Sequence, residues 1–447
     1  MRARKCRNTP RIASGILLLI ALTGCSEPLG PGWQSAPPNI VLILIDEWRA
    51  DALGAAGNTW VQTPNLDRLA EEGVRFANAF TVQSVCGPSR ASVFTGLFPS
   101  EHGVQKNGDT LTDPGNILNA LHEAGYHTGY FGKWHLGDPR TALAGWADEW
   151  ASFAEQGEYE DPRMLINGQW INLDGHLSDI LADQAQSFIT RAPSSRPFFM
   201  VVSHQAIHEP FVAQPRFEGA LAGVSIPVPV TFGEDLTNKP RFVSSRAMPP
   251  DTSALLSLTR RYGETSLGVD DTLDRVMDAL KTRQVLDNTL VLVVGDNGHF
   301  LGEHRLRDKR AAYEESMRIG MLARFPAWFE SGAIVDVAAT VLDAAGLADH
   351  PGIGGRSVRS MMTSQGRDEF LYQYFLEPEI PTTPAHRAIR TDRFKLIDYL
   401  GVDKDELYDL VAPPPETDNL IQDPSHTDIV AELRSRLEAL RARLGDL

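Results

Sequence analysis

Residues 39–45 read Asn-Ile-Val-Leu-Ile-Leu-Ile, and no other stretch limits the fold of this chain as sharply. A continuous run of branched apolar residues offers no polar face to water. It predicts a strand buried on both sides, in a sheet covered by helices. Runs at 128–132, 197–203 and 289–294 have the same texture. Helical stretches lie between them. They are 64–72 with Thr63 as its cap and Gly73 as its stop, a helix begun by Pro88, 116–124 closed by Gly125, and 253–281 interrupted at Gly263 and Gly268. Strands alternating with helices predict an α/β fold. The segment 137–196 has weak periodicity and is left without assigned elements.

Each apolar run ends in residues that carry chemistry. Asp46-Glu47 follows the first, Lys133-Trp134-His135 the second, His204 and His208 the third, and Asp296-Asn297-Gly298-His299 the fourth. One polar strand end means little, because every strand needs an exit. Four such ends point to one site, since open α/β sheets bind ligands outside the carboxyl ends of their strands.

Cys86-Gly-Pro-Ser-Arg90 adds a nucleophile candidate. Pro88 suits the first turn of a helix, which puts Cys86 just before a helix N-terminus, where free N–H groups and the dipole favour an anion. Arg90 brings a forked cationic donor to the same turn. A buried structural cysteine ahead of a proline-started helix is the competing reading. Cysteine arithmetic bears on the choice. Met1–Arg11 holds five basic residues, 12–22 is a short apolar core, and Leu-Thr-Gly-Cys25 follows. This is a secretory signal, too short to span a membrane. Cys6 leaves with the signal and Cys25 is the candidate for lipidation, so Cys86 is the one thiol left, with no disulfide partner.

At 447 residues the chain is long enough for a large domain and a smaller one. The expected division is a signal at 1–25, a Pro-, Gly- and Ser-rich linker at 26–38, a catalytic domain at 39–355 and a C-terminal α+β subdomain at 356–447. In the last part a hairpin of 388–391 and 394–399 turns at Asp392-Arg393, and an amphipathic helix covers 425–444. A formal net charge of −16 argues against a nucleic-acid partner, and it requires a local cationic pocket for any anionic substrate.

Asp46, Glu47, Asp296 and Asn297 are all oxygen donors, a set that suits Ca²⁺, or Mg²⁺, better than zinc. Arg90, Lys133 and Lys309 are candidate anion ligands, and His135 and His208 candidate proton carriers. Acidic pairs at strand ends, and the basic run around Lys309, are each more commonly plain solvated surface.

Taken together these blocks resemble the type I sulfatases. The resemblance rests on Asp46-Glu47-x-Arg49, Cys86-x-Pro-Ser-Arg90, Gly125-Tyr-His-Thr-Gly-Tyr-Phe-Gly-Lys133-Trp-His135, Ser203-His-Gln-Ala-Ile-His208, and Gly295-Asp296-Asn297 through Lys309. It spans 39–447 in order, with Ile389–Ile397 and Glu406–Leu410 similar to that family's ending. It implies an alkaline-phosphatase-like large sheet sandwiched by helices, and a Ca²⁺ site that includes the residue at 86. Position 86 is then formylglycine, made from cysteine by an installing enzyme. The implied reaction is hydrolysis of a sulfate ester by the hydrated aldehyde. Asp296 serves as base, Arg90, Lys133 and Lys309 hold the sulfuryl oxygens, His208 protonates the departing alcohol, and His135 deprotonates the second hydroxyl. Glu47 stands where the family often has Asp, and Gln205 where many bacterial members have Lys.

The lipobox-like Leu-Thr-Gly-Cys25 implies a periplasmic or outer-membrane lipoprotein, anchored to the membrane by lipid. Export suits a sulfated glycan, or a smaller sulfated molecule, as partner. Two other functions remain open at this level: a phosphonate or phosphate ester hydrolase of the same superfamily, and a lipoprotein that binds glycans without turnover.

Overall fold

The computed structural model describes residues 37–112, 115–325, 336–348, 350–359 and 367–446. The signal at 1–25, with Cys25, lies outside the described residues. Among them, no helix is long and apolar enough to cross a membrane.

Nine strands form the main sheet. They are β1 (Asn39–Ile45), β2 (Val74–Arg75), β3 (His127–Gly132), β4 (Glu149–Ser152), β5 (Arg163–Ile166), β6 (Gln169–Asn172), β7 (Phe198–Ser203), β8 (Thr289–Gly295) and, after the ribbon of β9 (Phe300–Leu301) and β10 (Arg307–Asp308), β11 (Met321–Arg324). Their order across the sheet is β2-β11-β8-β1-β7-β3-β4-β5-β6. The central strands β8, β1, β7, β3 and β4 are parallel. The flanking β11, β5 and β6 join antiparallel.

β1 occupies the middle and is buried along its whole length. Side chains alternate across a strand. Ile40, Leu42 and Leu44 therefore enter one core with Phe94 and Trp134, while Val41, Ile43 and Ile45 enter the other with Phe188, Leu273 and Val276. Two covered faces leave no position for a polar residue, which is why the run is continuous. Each such side chain contributes about 1.5–3 kcal/mol by leaving water.

The long helix differs from its sequence reading. Thr252–Thr282 runs unbroken for 31 residues. Gly263 and Gly268 do not interrupt it; they let neighbours approach. A Cβ at Gly263 would lie 2.5 Å from Trp60, and one at Gly268 would lie 2.1 Å from the Gln214 amide. Thr63 is not a side-chain cap either. Its hydroxyl accepts from Gly54 N at 3.1 Å and meets Asp67 at 3.2 Å. Asp270, from the long helix, takes Leu66 N at 2.8 Å and Asn65 N at 3.0 Å, satisfying the free donors of the Pro64–Glu72 helix across the fold. The unassigned segment 137–196 holds helices Pro139–Trp146 and Leu177–Arg191 around β4, β5 and β6.

A second, antiparallel sheet of β12 (Glu369–Tyr374), β13 (His386–Thr391), β14 (Phe394–Asp398) and β15 (Glu406–Asp409) follows. The Thr427–Arg443 helix covers one face through Leu433, Leu437 and Leu440. The other face presents Tyr372, Tyr374, Tyr399 and Tyr408 to Phe80 and Val85. Ser84 N donates to Tyr372 Oη at 3.3 Å and Gln373 N to Val82 O at 2.8 Å, so this sheet props the turn that leads into Cys86.

His386 lies fully buried in that aromatic layer, its ring 5.0 Å from Tyr374 and 5.2 Å from Tyr399. Nδ1 stands 2.9 Å from the Pro384 carbonyl, which places the neutral ring's proton there. Burial pulls its pKa down to about 3. The unfolded chain takes up this proton below about pH 6.5 and the folded chain does not, so stability is lost as pH falls from 6.5 toward 3. His386→Phe removes the group and keeps a ring. Denaturant titrations are expected to show the variant gaining about 2 kcal/mol on the wild type between pH 7.5 and pH 5. A pH-independent difference would contradict a neutral buried His386.

Candidate active site

The carboxyl ends of β1, β3, β7 and β8 meet the Cys86–Thr95 helix at one point. Every residue of this helix is buried, which explains its lack of an amphipathic pattern. Cys86 is its first residue, one place further into the helix than the sequence suggested, with Val85 as the extended residue before it.

Two side chains bond the thiol. Cys86 Sγ lies 3.2 Å from Asp46 Oδ1 and 2.8 Å from Lys309 Nζ, and Lys309 also bonds Glu47 Oε1. Lys133 Nζ bonds Asp46 Oδ2 and Gln156 Oε1. His208 Nε2 is 3.4 Å and His299 Nδ1 2.8 Å from the Glu47 carboxylate. Asp296 Oδ1 accepts from Glu47 N at 3.0 Å.

Arg90 serves the protein rather than an open pocket. Its Nε donates to Asp296 at 3.0 Å, Nη1 to Lys133 O at 2.9 Å and Ser203 Oγ at 2.6 Å, and Nη2 to His204 O at 3.3 Å. The guanidinium is fully buried. It ties together the ends of β3, β7 and β8.

The electrostatics follow from burial and neighbours. Burial raises the Cys86 thiol to about 12, with Asp46 adding to the rise and Lys133 and Lys309 opposing it, so it is a neutral S–H near pH 7. Burial alone would raise Asp46, but Lys133, His208, Arg90 and Lys309 outweigh it and hold the carboxyl well below its usual range. Glu47 is held down against burial by His208, Lys309 and His299. Asp296 moves upward, through burial and the charge of Asp46, against the pull of Arg90. His135 falls to about 2 through burial beside Lys133 and Arg90, and is a neutral imidazole. Burial also lowers His208, against Glu47 and Asp46.

The donor set suits a hard cation. Asn297 Oδ1, next in the chain to Asp296, is buried without a hydrogen-bond partner. Unpartnered buried oxygen is costly unless something else binds it. Asp46, Cys86 and His208 also bring ligand atoms within 4.8 Å of one another. A second group, His304, Glu315 and Glu416, does the same, but Lys395 already stands 2.6 Å from Glu416 Oε1.

All ten predicted site residues of the described chain thus gather around this point or line its walls, His135 on one cleft and His208 on another. Sequence reasoning did not single out Gln156, Ser203, His299 or Tyr262. Gln156 lies in the unassigned segment and Tyr262 on a helix from the far side, where its hydroxyl donates to Glu47 O at 2.9 Å. Only contact across the fold marks them. His299 did carry a signal, being next in line after Asp296-Asn297. Gln205 is buried and turned to Gly157 O at 3.4 Å. Glu47 and His135 hold left-handed backbone, φ 58° and 59°. Such strain in residues other than glycine costs on the order of 1–3 kcal/mol and gathers at functional sites.

A mostly parallel sheet between helices, with a carboxylate cluster and a nucleophile-bearing helix at its strand ends, defines an alkaline-phosphatase-like hydrolase. The family model described as Sulfatase matches residues 38–347, and the model of the N-sulphoglucosamine sulphohydrolase C-terminal region matches 302–443. The chain belongs to the sulfatase family, and it is an enzyme of that class. It is 30% identical to an N-acetylglucosamine-6-O-sulfatase of Bacteroides thetaiotaomicron, over 96% of this chain and 90% of that one. A solved structure described as in complex with its substrate D-glucosamine-2-N,6-O-disulfate superposes with TM-score 0.85 at 28% identity, covering 92% of this chain and 98% of the other. The phosphonate monoester hydrolase of Agrobacterium radiobacter shares the fold, with TM-score 0.72 at 21% identity over 91% and 96% of the two chains.

Proposed function

We propose that this sulfatase removes the 6-O-sulfate of a glucosamine-type sugar. The observation that carries the reading is the near full-length match to a structure described with D-glucosamine-2-N,6-O-disulfate as substrate. The 30% identical N-acetylglucosamine-6-O-sulfatase supports it. Lys309, bonded to Cys86 and Glu47, and Lys133, bonded to Asp46, are the cations this reading gives to the anion in a chain of net charge −16.

Position 86 is the formylglycine precursor in this reading. As a thiol with its pKa near 12 it is a poor nucleophile, whereas a hydrated aldehyde offers one hydroxyl to attack sulfur and a second whose proton loss releases sulfate. Asp46, Glu47, Asp296, Asn297 and residue 86 would hold a divalent cation, Ca²⁺ by donor type, which would supply Lewis acidity toward the anion. Lys133 and Lys309 hold the sulfuryl oxygens. Arg90 fixes Asp296, whose raised pKa suits a base at neutral pH. Glu209 O, 2.7 Å away, fixes His208 Nδ1 as a donor, so Nε2 has a proton for the departing alcohol only in the imidazolium form, which Glu47 and Asp46 favour against burial. His135, neutral and with Nδ1 unpartnered, accepts the proton of the later step.

The divisions at 26–38, 39–355 and 356–447, and a signal at 1–25 with lipid on Cys25, complete the proposal. They give an exported enzyme that meets glycans outside the cytoplasm.

The test is sulfate release from 6-, 4- and 3-O-sulfated N-acetylhexosamines, with intact-mass measurement of residue 86. The expected result is turnover of the 6-O-sulfated glucosamine series by protein carrying the aldehyde, lost on chelation and restored by Ca²⁺. Turnover of an aryl phosphate diester in preference to every sulfate would transfer the chain to the phosphonate and phosphate hydrolases. A bound sugar with no sulfate release would make it a binding lipoprotein.

A further inference from the structure

Away from the catalytic residues, the fold gathers a second set of ligand-type side chains. His304, Glu315 and Glu416 each bring one ligand atom within 4.8 Å of the others. His304 is fully buried. Its Nδ1 stands 2.7 Å from Glu234 Oε1, which places the neutral ring's proton there and turns the Nε2 lone pair to Glu315 Oε2, 3.9 Å away. Neither that Nε2 nor that Oε2 has a hydrogen-bond partner among the described residues. A separation of 3.9 Å is too long for a hydrogen bond. One ion about 2.0–2.2 Å from each atom would span it.

The neighbouring cations do not fill this gap. Lys395 Nζ lies 2.6 Å from Glu416 Oε1 and 3.0 Å from Glu314 Oε1, and Lys239 Nζ 3.8 Å from Glu234 Oε1. Glu416 Oε1 keeps a second lone pair beside Lys395. Glu315 has no lysine or arginine within 4.0 Å among the described residues. Burial, with the charges of Glu303 and Glu416, pushes Glu315 up to about 8. The group therefore lacks a positive charge, which a proton or a metal cation supplies.

We propose that His304, Glu315 and Glu416 form a second metal centre, with Glu234 orienting the histidine, which takes Zn²⁺ or a similar divalent transition metal. One imidazole with two carboxylates suits such an ion better than Ca²⁺, whose ligands are oxygens alone. A metal-bound histidine characteristically gives its other N–H to a carboxylate, and Glu234 fills that part. The Glu315 side chain keeps 17% of its surface exposed, which gives the ion a way in. The role is structural. Lys309, which bonds Cys86, lies between His304 and Glu315, and His304, Arg305, Asp308 and Arg310 hold left-handed backbone, φ 53°, 56°, 71° and 85°. Such backbone persists only where its surroundings hold it. A metal joining both ends of this segment to Glu416 ties the loop that carries Lys309 to the C-terminal part of the chain.

The experiment titrates Zn²⁺ into the full chain, stripped of metal and then held in excess Ca²⁺, with calorimetry for stoichiometry and metal analysis after desalting. One Zn²⁺ per chain is expected in the wild type. Asp46→Asn, which removes a carboxylate from the catalytic cluster, should retain it. Glu234→Gln leaves all three ligands in place and should weaken binding by about 10–100-fold. Glu315→Gln removes a ligand and should weaken it further, by about 100-fold or more; should that variant fold poorly, Glu234→Gln still decides. Zn²⁺ should raise the unfolding temperature of the wild type and not that of Glu315→Gln. Binding that is unchanged in Glu315→Gln and Glu234→Gln, or lost in Asp46→Asn, would overturn the proposal. So would a wild type that takes up no Zn²⁺, with a proton on Glu315 then supplying the counter-charge.

Discussion

Replacing Cys86 with serine is expected to lower steady-state sulfate release by about 10³-fold or more, the scale seen when a covalent nucleophile is lost. Serine keeps a hydroxyl where the sulfur stands, 3.2 Å from Asp46 and 2.8 Å from Lys309. It therefore retains the means to accept one sulfuryl group. It lacks a second hydroxyl on the same carbon, and so has no internal route to expel sulfate. Mass spectrometry after incubation with substrate should show, at most, a single stable sulfate adduct on the Cys86→Ser chain. Cys86→Ala should show none. Multiple turnovers by Cys86→Ser would refute the aldehyde reading, because an ordinary hydroxyl would then suffice. Thermal stability of both variants is the control, since Cys86 is fully buried and a change of side-chain size there is felt.

Arg90→Ala is expected to cost about 3–5 kcal/mol of stability and to abolish activity together with it. The guanidinium and its partner Asp296 are both fully buried, and Asp46 Oδ2 lies 3.8 Å away. Removing the cation leaves carboxylates in a low-dielectric interior with no compensating charge at that side. It also leaves Lys133 O, Ser203 Oγ and His204 O without the donor that now joins them. Arg90→Lys keeps the charge but not the fork, and should recover part of the stability without the full geometry. Denaturant unfolding of the three proteins checks the ranking. An alanine variant as stable as wild type would mean that Arg90 is not the tie between the strand ends. Adding Ca²⁺ to each protein separates the effects, since a bound cation offsets the exposed negative charge of Asp46 and Asp296.

The apolar runs made the central sheet readable because burial on both faces forbids polar residues, and the continuous run of β1 meets this requirement at every position. The strand ends were readable for a related reason. Reactive residues just beyond a parallel strand have one place to go, and Asp46, Lys133, His208 and Asp296 did go there. The helix at Cys86 showed no face, because all of its faces are buried. Proline and the following sequence located it instead.

Other features had no local signal. The glycines of Thr252–Thr282 read as breaks, since a glycine's packing partner is invisible in one dimension; Trp60 and Gln214 turned out to require them. Arg90 looked like an anion ligand because its position was known but not its partners, and the partners are backbone and side-chain oxygens from three other strands. Gln156 comes from the segment without periodicity.

By itself the sequence determined the central strands β1, β3, β7 and β8, the convergence of their ends and the residue types of the centre, since these depend on burial patterns and strand direction within short windows. The tertiary structure alone decided which charges are already satisfied. Arg90 held by Asp296, Lys133 held by Asp46 and Gln156, and Lys309 held by Glu47 are facts of distance between residues far apart in the chain. Electrostatic energy depends on that distance and on burial, and neither is written in the order of the residues.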